Sequence, residues 1–139
     1  NTADGKFITF FWGMLNDEQR TLTYVNAGHN PPLLIRDGSI TKLEVGGIIL
    51  GVMKTLMPYN SELIQLQKDD VLVLFTDGIS EAMNKKGEEF SDSFLESICL
   101  KSAGYSADII LNEIKNEVKK FAEGTTQSDD ITLVVLKAK

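Results

Sequence analysis

Apolar runs of two kinds divide the chain, with strand-like runs in its first half and helix-like runs in its second. Phe7 to Leu15 is rich in aromatic and β-branched residues. The polar turn Asn16 to Gln19 separates it from the apolar run Thr21 to Val25, and together they predict a β-hairpin. Ala27 to Pro32 follows with two prolines, which cannot donate to a central sheet ladder. This segment is therefore predicted to be a rigid, irregular connection.

Apolar runs and turn residues predict further strands later in the chain. Leu33 to Ile35 leads into Asp37-Gly38, a two-residue turn typical of hairpins. The apolar residues Ile64 and Leu66 alternate with Leu63, Gln65 and Gln67, which predicts a half-buried strand. The run Val71 to Phe75 is uninterrupted and apolar, which favours a central strand. The apolar run Ile131 to Leu136 predicts the last strand.

Two segments between the last two strands have helical spacing. Ser93 and Glu96 have the separation of a capping box, and Ser106 stands where it can cap a second helix. The apolar residues that form one face of the first helix are Phe94, Leu95, Ile98 and Cys99, and those on the buried stripe of the second are Ile110, Ile114, Val118 and Phe121. The chain is therefore expected to be α+β, an antiparallel β-sandwich with helices covering one face.

Composition narrows the class of protein. A length of 139 residues fits one domain. The net charge of −6, with no basic run longer than two residues, argues against nucleic-acid binding and suits metal ions or cationic partners. The single cysteine excludes an internal disulfide framework. No apolar run is long enough for a membrane span and no signal peptide is evident, so a cytoplasmic location is expected.

Carboxylates follow one predicted buried strand and precede another. Asp77 ends the run Val71 to Phe75 through Thr76, and Asp129-Asp130 comes directly before the last strand. If these strands are neighbours, the carboxylates converge and offer the oxygen ligands that hard divalent cations prefer. Such sites generate a hydroxide nucleophile and neutralise a phosphate ester. The alternative is a turn signal at Asp-Gly and a solvated loop at Asp-Asp.

Five segments taken in order are more specific than either motif alone. The chain resembles the metal-dependent (type 2C) serine/threonine protein phosphatases, and within them the bacterial sporulation stage II protein E group. The resemblance covers essentially the whole chain. The segments that carry it are Phe7 to Gly13, Tyr24 to Pro32, Leu50-Gly51, Asp69 to Ala82 and Asp129 to Val135.

The resemblance implies an active site with two Mn²⁺ or Mg²⁺ ions in the complete domain. Asp77 and Asp129 correspond to the two later metal ligands of the family, with Asp130 a weaker candidate and Gly78 keeping the backbone close to the site. His29 falls in a segment that faces the active site in this family. From the residues alone, a single His beside two prolines is more often a structural, hydrogen-bonding residue than a metal ligand.

Two other polar residues have both a functional and a structural interpretation, and several further residues have a structural one. Glu81 and Asn84 could orient metal-bound waters, or belong to a solvated helix or loop start. Asp69-Asp70 is interpreted as a polar turn before the central strand. Cys99 is expected to pack as a small hydrophobe. Packing in the core or in loops is expected of Trp12, Met53 and Met57.

Departures from the family pattern qualify these expectations. Complete members carry an upstream acidic motif that bridges the two metals, and Asp4-Gly5 is in the wrong context to replace it. Residues 1–139 are therefore expected to be the C-terminal portion of a single phosphatase domain, inactive alone, with weak metal binding and with exposed apolar surface that favours a homodimer. At Glu89-Phe90-Ser91 the family usually has glycine after Phe. Serine at this position is expected to alter the turn into the helical segment.

The hypothesis that follows is a phosphoprotein phosphatase in which metal-activated water attacks phosphoserine or phosphothreonine directly. By resemblance, its partner is a phosphorylated anti-sigma-factor antagonist in bacterial partner-switching signalling. The alternative is a non-catalytic, phosphatase-like module that binds a protein. A purely structural β-rich domain, in which the two aspartate motifs coincide by accident, is a third interpretation.

Overall fold

The computed structural model describes residues 6–51, 58–126 and 129–139. They form two compact units: the first comprises the described residues up to Pro31 and from Leu43 to Gln67, and the second comprises Pro32–Lys42 and Lys68–Lys139. Asp4-Gly5, Met53 and Met57 lie outside the described residues. In chain order the elements are β1 (Phe10–Asn16), β2 (Thr21–Ala27), β3 (Leu33–Arg36), β4 (Ser39–Lys42), β5 (Gly46–Gly47), β6 (Glu62–Gln65), β7 (Val71–Phe75), α1 (Asp77–Ser80), α2 (Asp92–Ser102), α3 (Ala107–Phe121) and β8 (Leu133–Lys137).

The first unit is a four-stranded sheet built on β2. β1 and β2 form the predicted hairpin, with Phe10 opposite Ala27 and Asn16 opposite Thr21. β6 pairs antiparallel with β2, and the two-residue strand β5 pairs parallel with its end. Tyr24 on β2 is buried and its hydroxyl donates to Glu62, and burial raises the pKa of Tyr24 to about 12. The predicted hairpin is confirmed.

The predicted irregular connection after β2 is also confirmed, and a buried asparagine organises it. The side-chain amide of Asn26 donates to the carbonyls of His29 and Leu43, and its oxygen accepts from the backbone N–H of His29. Buried polar groups need such partners, because an unpaired one costs about 1–3 kcal/mol. Asn26 therefore fixes the path of the chain as it leaves the sheet.

The second unit is a four-stranded antiparallel sheet in the order β4-β3-β7-β8. β7 lies between β3 and β8, as predicted for a central strand. β3 and β4 are joined at Asp37-Gly38, where both residues have positive φ (48° and 74°). This is the conformation that a tight hairpin turn of the I′ type requires.

Helices α2 and α3 cover one face of the second sheet and close a core. Ile98 on α2 and Ile110 and Ile114 on α3 pack with the alternate sheet residues Leu33, Ile35, Val71, Val73 and Phe75. Cys99 is buried in this core as expected, and burial raises the pKa of its thiol to about 12. The α+β class with antiparallel sheets is confirmed. Among the described residues, no helix combines the length and the apolar character needed to cross a bilayer.

The start of α2 differs from the prediction. Ser91, not Ser93, is the N-cap, and its hydroxyl accepts from the backbone N–H of Phe94 at 3.4 Å. Phe90, the residue before this cap, is fully buried and its ring lies edge-on to Phe121. The predicted capping box at Ser93 is therefore wrong. Ser106 is the N-cap of α3, as predicted, although its side chain makes no cap hydrogen bond.

Two further expectations are wrong. Asp70 is not only part of a polar turn: it is 2% exposed and accepts a hydrogen bond from Nε of Arg36 at 2.9 Å. The pairing of Ile35 with Val71 brings Arg36 opposite Asp70. Trp12, expected to pack in the core or a loop, is 43% exposed on β1, which pairs with β2 alone among the described strands.

Candidate metal centre

The two aspartate motifs lie at the same end of two paired strands in the second sheet. β7 pairs antiparallel with β8, and Phe75 at the end of β7 lies opposite Leu133 at the start of β8. The chain therefore leaves β7 toward Asp77 at the same edge where it enters β8 from Asp129-Asp130. The condition set by the sequence, that the strands be neighbours, is met.

Thr76 joins the two motifs through three hydrogen bonds. Its hydroxyl donates to the carbonyl oxygen of Asp130 at 2.9 Å and accepts from the backbone N–H of Thr132 at 2.9 Å. Its own backbone N–H donates to the carbonyl of Thr132 at 3.1 Å. Because Thr76 immediately precedes Asp77, the backbones that carry the aspartates are fixed to each other.

Gly78 sets how closely these backbones approach. A Cβ at this position would lie 2.5 Å from the carbonyl oxygen of Asp130 and 3.0 Å from its carbonyl carbon. Real Cβ atoms do not come so near to backbone, so a larger residue would push the strands' ends apart. The requirement for glycine here is steric.

The carboxylates themselves are exposed to solvent. Asp77 begins α1, and its Oδ1 accepts from the N–H of Gly78 at 3.0 Å. Asp129 Oδ1 accepts from the N–H of Asp130 at 2.7 Å. Each of these bonds uses one oxygen and orients its carboxylate, while Asp130 is held through its backbone carbonyl.

This arrangement fits part of a divalent-cation site. Three carboxylates on two adjoining loops supply the hard oxygen donors that Mg²⁺ and Mn²⁺ prefer. Among residues 6–51, 58–126 and 129–139, however, no group of three or more His, Cys, Asp or Glu side chains is arranged to hold a metal ion. The described residues therefore offer a share of a ligand set, not a complete one.

The remaining candidates lie in other surroundings. His29 belongs to the first unit, is half-buried, and places Nδ1 3.1 Å from the hydroxyl of Thr9. Asn84 accepts from the N–H groups of Lys86 and Glu88 and donates to the Glu88 carboxylate, so it holds a turn. Glu81 is exposed at the C-cap of α1. The hydrogen bonds of His29 and Asn84 are therefore the ones expected of residues with a structural role.

Sequence reasoning did not single out Thr76. Its importance comes from the pairing of β7 with β8, which places residues 54 and 56 positions away in the chain within reach of its hydroxyl. A threonine directly before an Asp-Gly pair, at the end of a strand, was the only available signal. That pattern does not identify the hydrogen-bond partners.

Comparisons with known proteins point the same way. The chain is 30% identical over 142 residues to the phosphoserine phosphatase RsbU of Bacillus subtilis, covering 100% of this chain and 41% of that protein. Its fold matches the SiaA-PP2C domain of Pseudomonas aeruginosa with a TM-score of 0.81 at 16% identity, over 99% of this chain and 54% of that one.

A second solved structure is the phosphatase domain of the cell fate determinant SpoIIE from Bacillus subtilis, presoaked with manganese. It matches with a TM-score of 0.65 at 20% identity, over 94% of this chain and 56% of that one. The chain spans less than half the length of the curated relatives it matches. The model of the Stage II sporulation protein E (SpoIIE) family matches residues 1–139, and the chain therefore belongs to the SpoIIE family.

Proposed function

We propose that this chain is part of a serine/threonine phosphoprotein phosphatase. The observation that carries the proposal is the junction of the Asp77 and Asp129-Asp130 loops at the paired ends of β7 and β8, tied by Thr76. Membership of the SpoIIE family supports it, as does the likeness to a protein named a phosphoserine phosphatase. The site geometry and the similarity to known proteins are stronger together than either is alone, because fold does not fix function.

In this proposal Asp77 and Asp129 are ligands to Mn²⁺ or Mg²⁺, with Asp130 beside them. Such a cation, when bound, lowers the pKa of its water and offsets the charge of a phosphate ester. The chain's own part is to hold the carboxylates in place: Thr76 fixes the Asp130 backbone, Gly78 allows the close approach, and local N–H groups orient two of the carboxylates. The manganese-presoaked relative supports a divalent metal.

The proposal concerns the full-length protein. Residues 1–139 are proposed to be the C-terminal portion of one phosphatase domain, because Asp77 and Asp129 resemble the two later metal ligands of the family, and they span 54% and 56% of the two solved chains. The further ligands and the second ion are expected from the rest of that domain. Low activity of the isolated chain would therefore be consistent with the proposal.

The substrate is proposed to be a phosphorylated regulatory protein of the anti-sigma-factor antagonist type, in cytoplasmic partner-switching signalling. The support is the sequence resemblance to the sporulation stage II protein E group and the likeness to RsbU. The proposal predicts release of phosphate from phosphoserine or phosphothreonine without a phosphoenzyme intermediate.

Mn²⁺-dependent release of phosphate from a phosphoserine peptide by the full-length protein tests the proposal. Asp77→Asn and Asp129→Asn each remove a charged ligand and are expected to lower kcat/KM at least about 100-fold, beyond what loss of an outer-shell partner costs. The matched control is Asp37→Asn, which removes an exposed turn carboxylate and leaves a favourable Asn-Gly turn. Equal turnover in wild type and Asp77→Asn would overturn the proposed role.

A metal titration separates the enzyme from the non-catalytic alternative. If the full-length protein binds Mn²⁺, loses that binding in Asp129→Asn and releases phosphate, the enzyme is supported. Partner binding without metal-dependent phosphate release would favour the phosphatase-like binding module instead.

A further inference from the structure

A groove of about 590 Å³ opens in the second unit beside the aspartate loops. Its walls include Gly78 and Ile131, the residues that directly follow Asp77 and Asp130 in the chain. A cavity of this size is within the roughly 300–1,000 Å³ of sites that hold small molecules or anchoring side chains. The groove therefore begins at the residues next to the two aspartate motifs in the chain.

The floor and one edge of the groove are apolar. Ile79, Ile114 and Val118 form its buried lining. Met83 and Ile131 at its edge are 39% and 40% exposed, so large apolar side chains face solvent beside a polar centre. Covering this surface with an apolar side chain would remove it from water, which is favourable at about 25 cal/mol per Å².

The other edge carries positive charge. Lys115 and Lys119 stand one turn apart on α3, and both are exposed. Within the described part of the chain neither ammonium is in an ion pair. The chain as a whole carries a net charge of −6, so this basic edge runs against the general balance and offers a local match for acidic groups.

We propose that this groove binds a segment of the phosphoprotein substrate: a large apolar side chain within about three residues of the phosphoserine fills the groove, and acidic residues beside it meet Lys115 and Lys119. The inference rests on the proposed function and deepens it by naming the chemistry of the sequence around the phosphoserine. The occupant is an acidic segment with an apolar anchor, because apolar lining and basic edge together match both features.

Three fluorescein-labelled phosphoserine peptides test the groove with the full-length protein and Mn²⁺. The first carries Leu two residues from the phosphoserine and flanking Glu residues, the second replaces Leu by Ser, and the third replaces Glu by Lys. Fluorescence anisotropy measures binding, and phosphate release measures turnover. We expect the first peptide to bind about tenfold more tightly than either of the others, the scale of a small change in an apolar pocket.

A charge-reversed protein tests the basic edge. The double variant Lys115→Glu with Lys119→Glu is expected to raise KM for the first peptide about tenfold, with kcat within about twofold, since charges at the edge of an interface act on encounter more than on chemistry. The control reverses two other exposed lysines of the second unit, Lys68→Glu with Lys101→Glu. Hydrolysis of p-nitrophenyl phosphate, which has neither anchor nor acidic flank, should be unchanged in the control and should be affected less than peptide hydrolysis in the variant at Lys115 and Lys119.

The outcomes separate the groove from the phosphatase activity. Hydrolysis of p-nitrophenyl phosphate without discrimination among the three peptides would overturn the groove and leave the proposed function standing. Discrimination in anisotropy without any phosphate release would support the groove as a binding surface and overturn the phosphatase. An equal rise in KM in both double variants would reduce the lysines to a general charge effect and overturn their assignment.

Discussion

The two units differ in how completely they bury their apolar residues. In the second unit the sheet and α2 and α3 enclose a shared core, with Val73, Leu95, Ile110 and Ile114 wholly buried. In the first unit, every residue of β1 except Phe11 is exposed, including Phe10 at 48%, Trp12 at 43% and Met14 at 53%. We call the second unit the closed unit and the first the open unit. The candidate metal centre lies on the closed unit, whose backbone is held in place by its packing.

The difference shows which region can hold geometry and which is open to partners. A binding site needs its supporting backbone fixed to fractions of an ångström, and Thr76 and Gly78 provide this at the end of a central strand. An exposed edge strand with apolar side chains is, by contrast, a surface on which other chains pair. Substitutions matched between the units can sharpen or break this contrast.

The largest effect is expected in the closed core. Phe90 is 1% exposed and its ring lies edge-on to Phe121, with centroids 5.4 Å apart. Phe90→Ala should lower the free energy of unfolding by about 3–5 kcal/mol, because it leaves a cavity. The midpoint of urea unfolding, followed by circular dichroism at 222 nm, measures it, since every helix in the described ranges belongs to the second unit.

Phe94 provides the control within the same aromatic cluster. Its ring centroid is 4.7 Å from that of Phe90, yet the side chain is 36% exposed. Phe94→Ala should cost well under half as much as Phe90→Ala. Equal costs would mean that the core does not distinguish these rings and that the second unit is less closed than described. Trp12, the only tryptophan, reports on the first unit in the same experiment.

Next in size is the close approach at Gly78. Gly78→Ala inserts a Cβ against the Asp130 carbonyl and should lower stability by about 1–3 kcal/mol, the usual cost of overpacking. Mn²⁺ affinity of the full-length protein, measured by calorimetry, should fall with it. Gly104→Ala is the control: no atom lies within 4 Å of its added Cβ, so stability should be unchanged or slightly higher. If Gly78→Ala kept the stability and the metal affinity of the wild type, the inference that this position requires glycine for steric reasons would be wrong.

Much of the closed unit could be predicted from the sequence, because its elements have strong local signals. The uninterrupted run Val71 to Phe75 gave the central strand, Asp37-Gly38 gave the hairpin, and the spacing of Ile110, Ile114 and Val118 gave the buried side of α3. In each case the local pattern and the tertiary environment agree. The positions of Asp77 and Asp129 at strand ends followed from the same patterns.

What could not be predicted depends on which strands pair. Asp70 looks like a turn residue until β3 pairs with β7 and brings Arg36 opposite it. The hydrogen bonds of Thr76 require the pairing of β7 with β8. The exposure of Trp12 depends on whether the face of β1 that carries it is covered, which is again a matter of tertiary packing. Such long-range pairings are absent from local periodicity.

A smaller, stabilising effect is expected at the entry to α2. Ser91 has φ 70° and ψ 151°, a region that only glycine enters easily, and it stands where the resembled family usually has glycine. Ser91→Gly should raise stability by about 0.5–1.5 kcal/mol, because relief of strain exceeds the few tenths lost on replacing the cap. Thermal unfolding followed at 222 nm measures the change.

Ser91→Ala separates strain from capping at the same position. Alanine retains the Cβ that conflicts with this backbone conformation and loses the hydroxyl that accepts from Phe94, so it should destabilise by about 1 kcal/mol. If glycine and alanine both destabilised, the cap would matter more than the strain. The closed unit would then contain no strained entry for glycine to relieve.

The smallest effect on stability, and the most direct test of the open unit, is expected on β1. Trp12→Ser should change the free energy of unfolding by less than about 0.5 kcal/mol, because the side chain is already exposed. Sedimentation of the 139-residue chain should nevertheless show weaker self-association than wild type, since an apolar edge strand is a pairing surface. Leu100→Ser, which alters an equally exposed leucine on α2, should leave association unchanged. A wild-type monomer at every concentration would contradict the predicted homodimer, and the contrast between the units would then be one of packing alone.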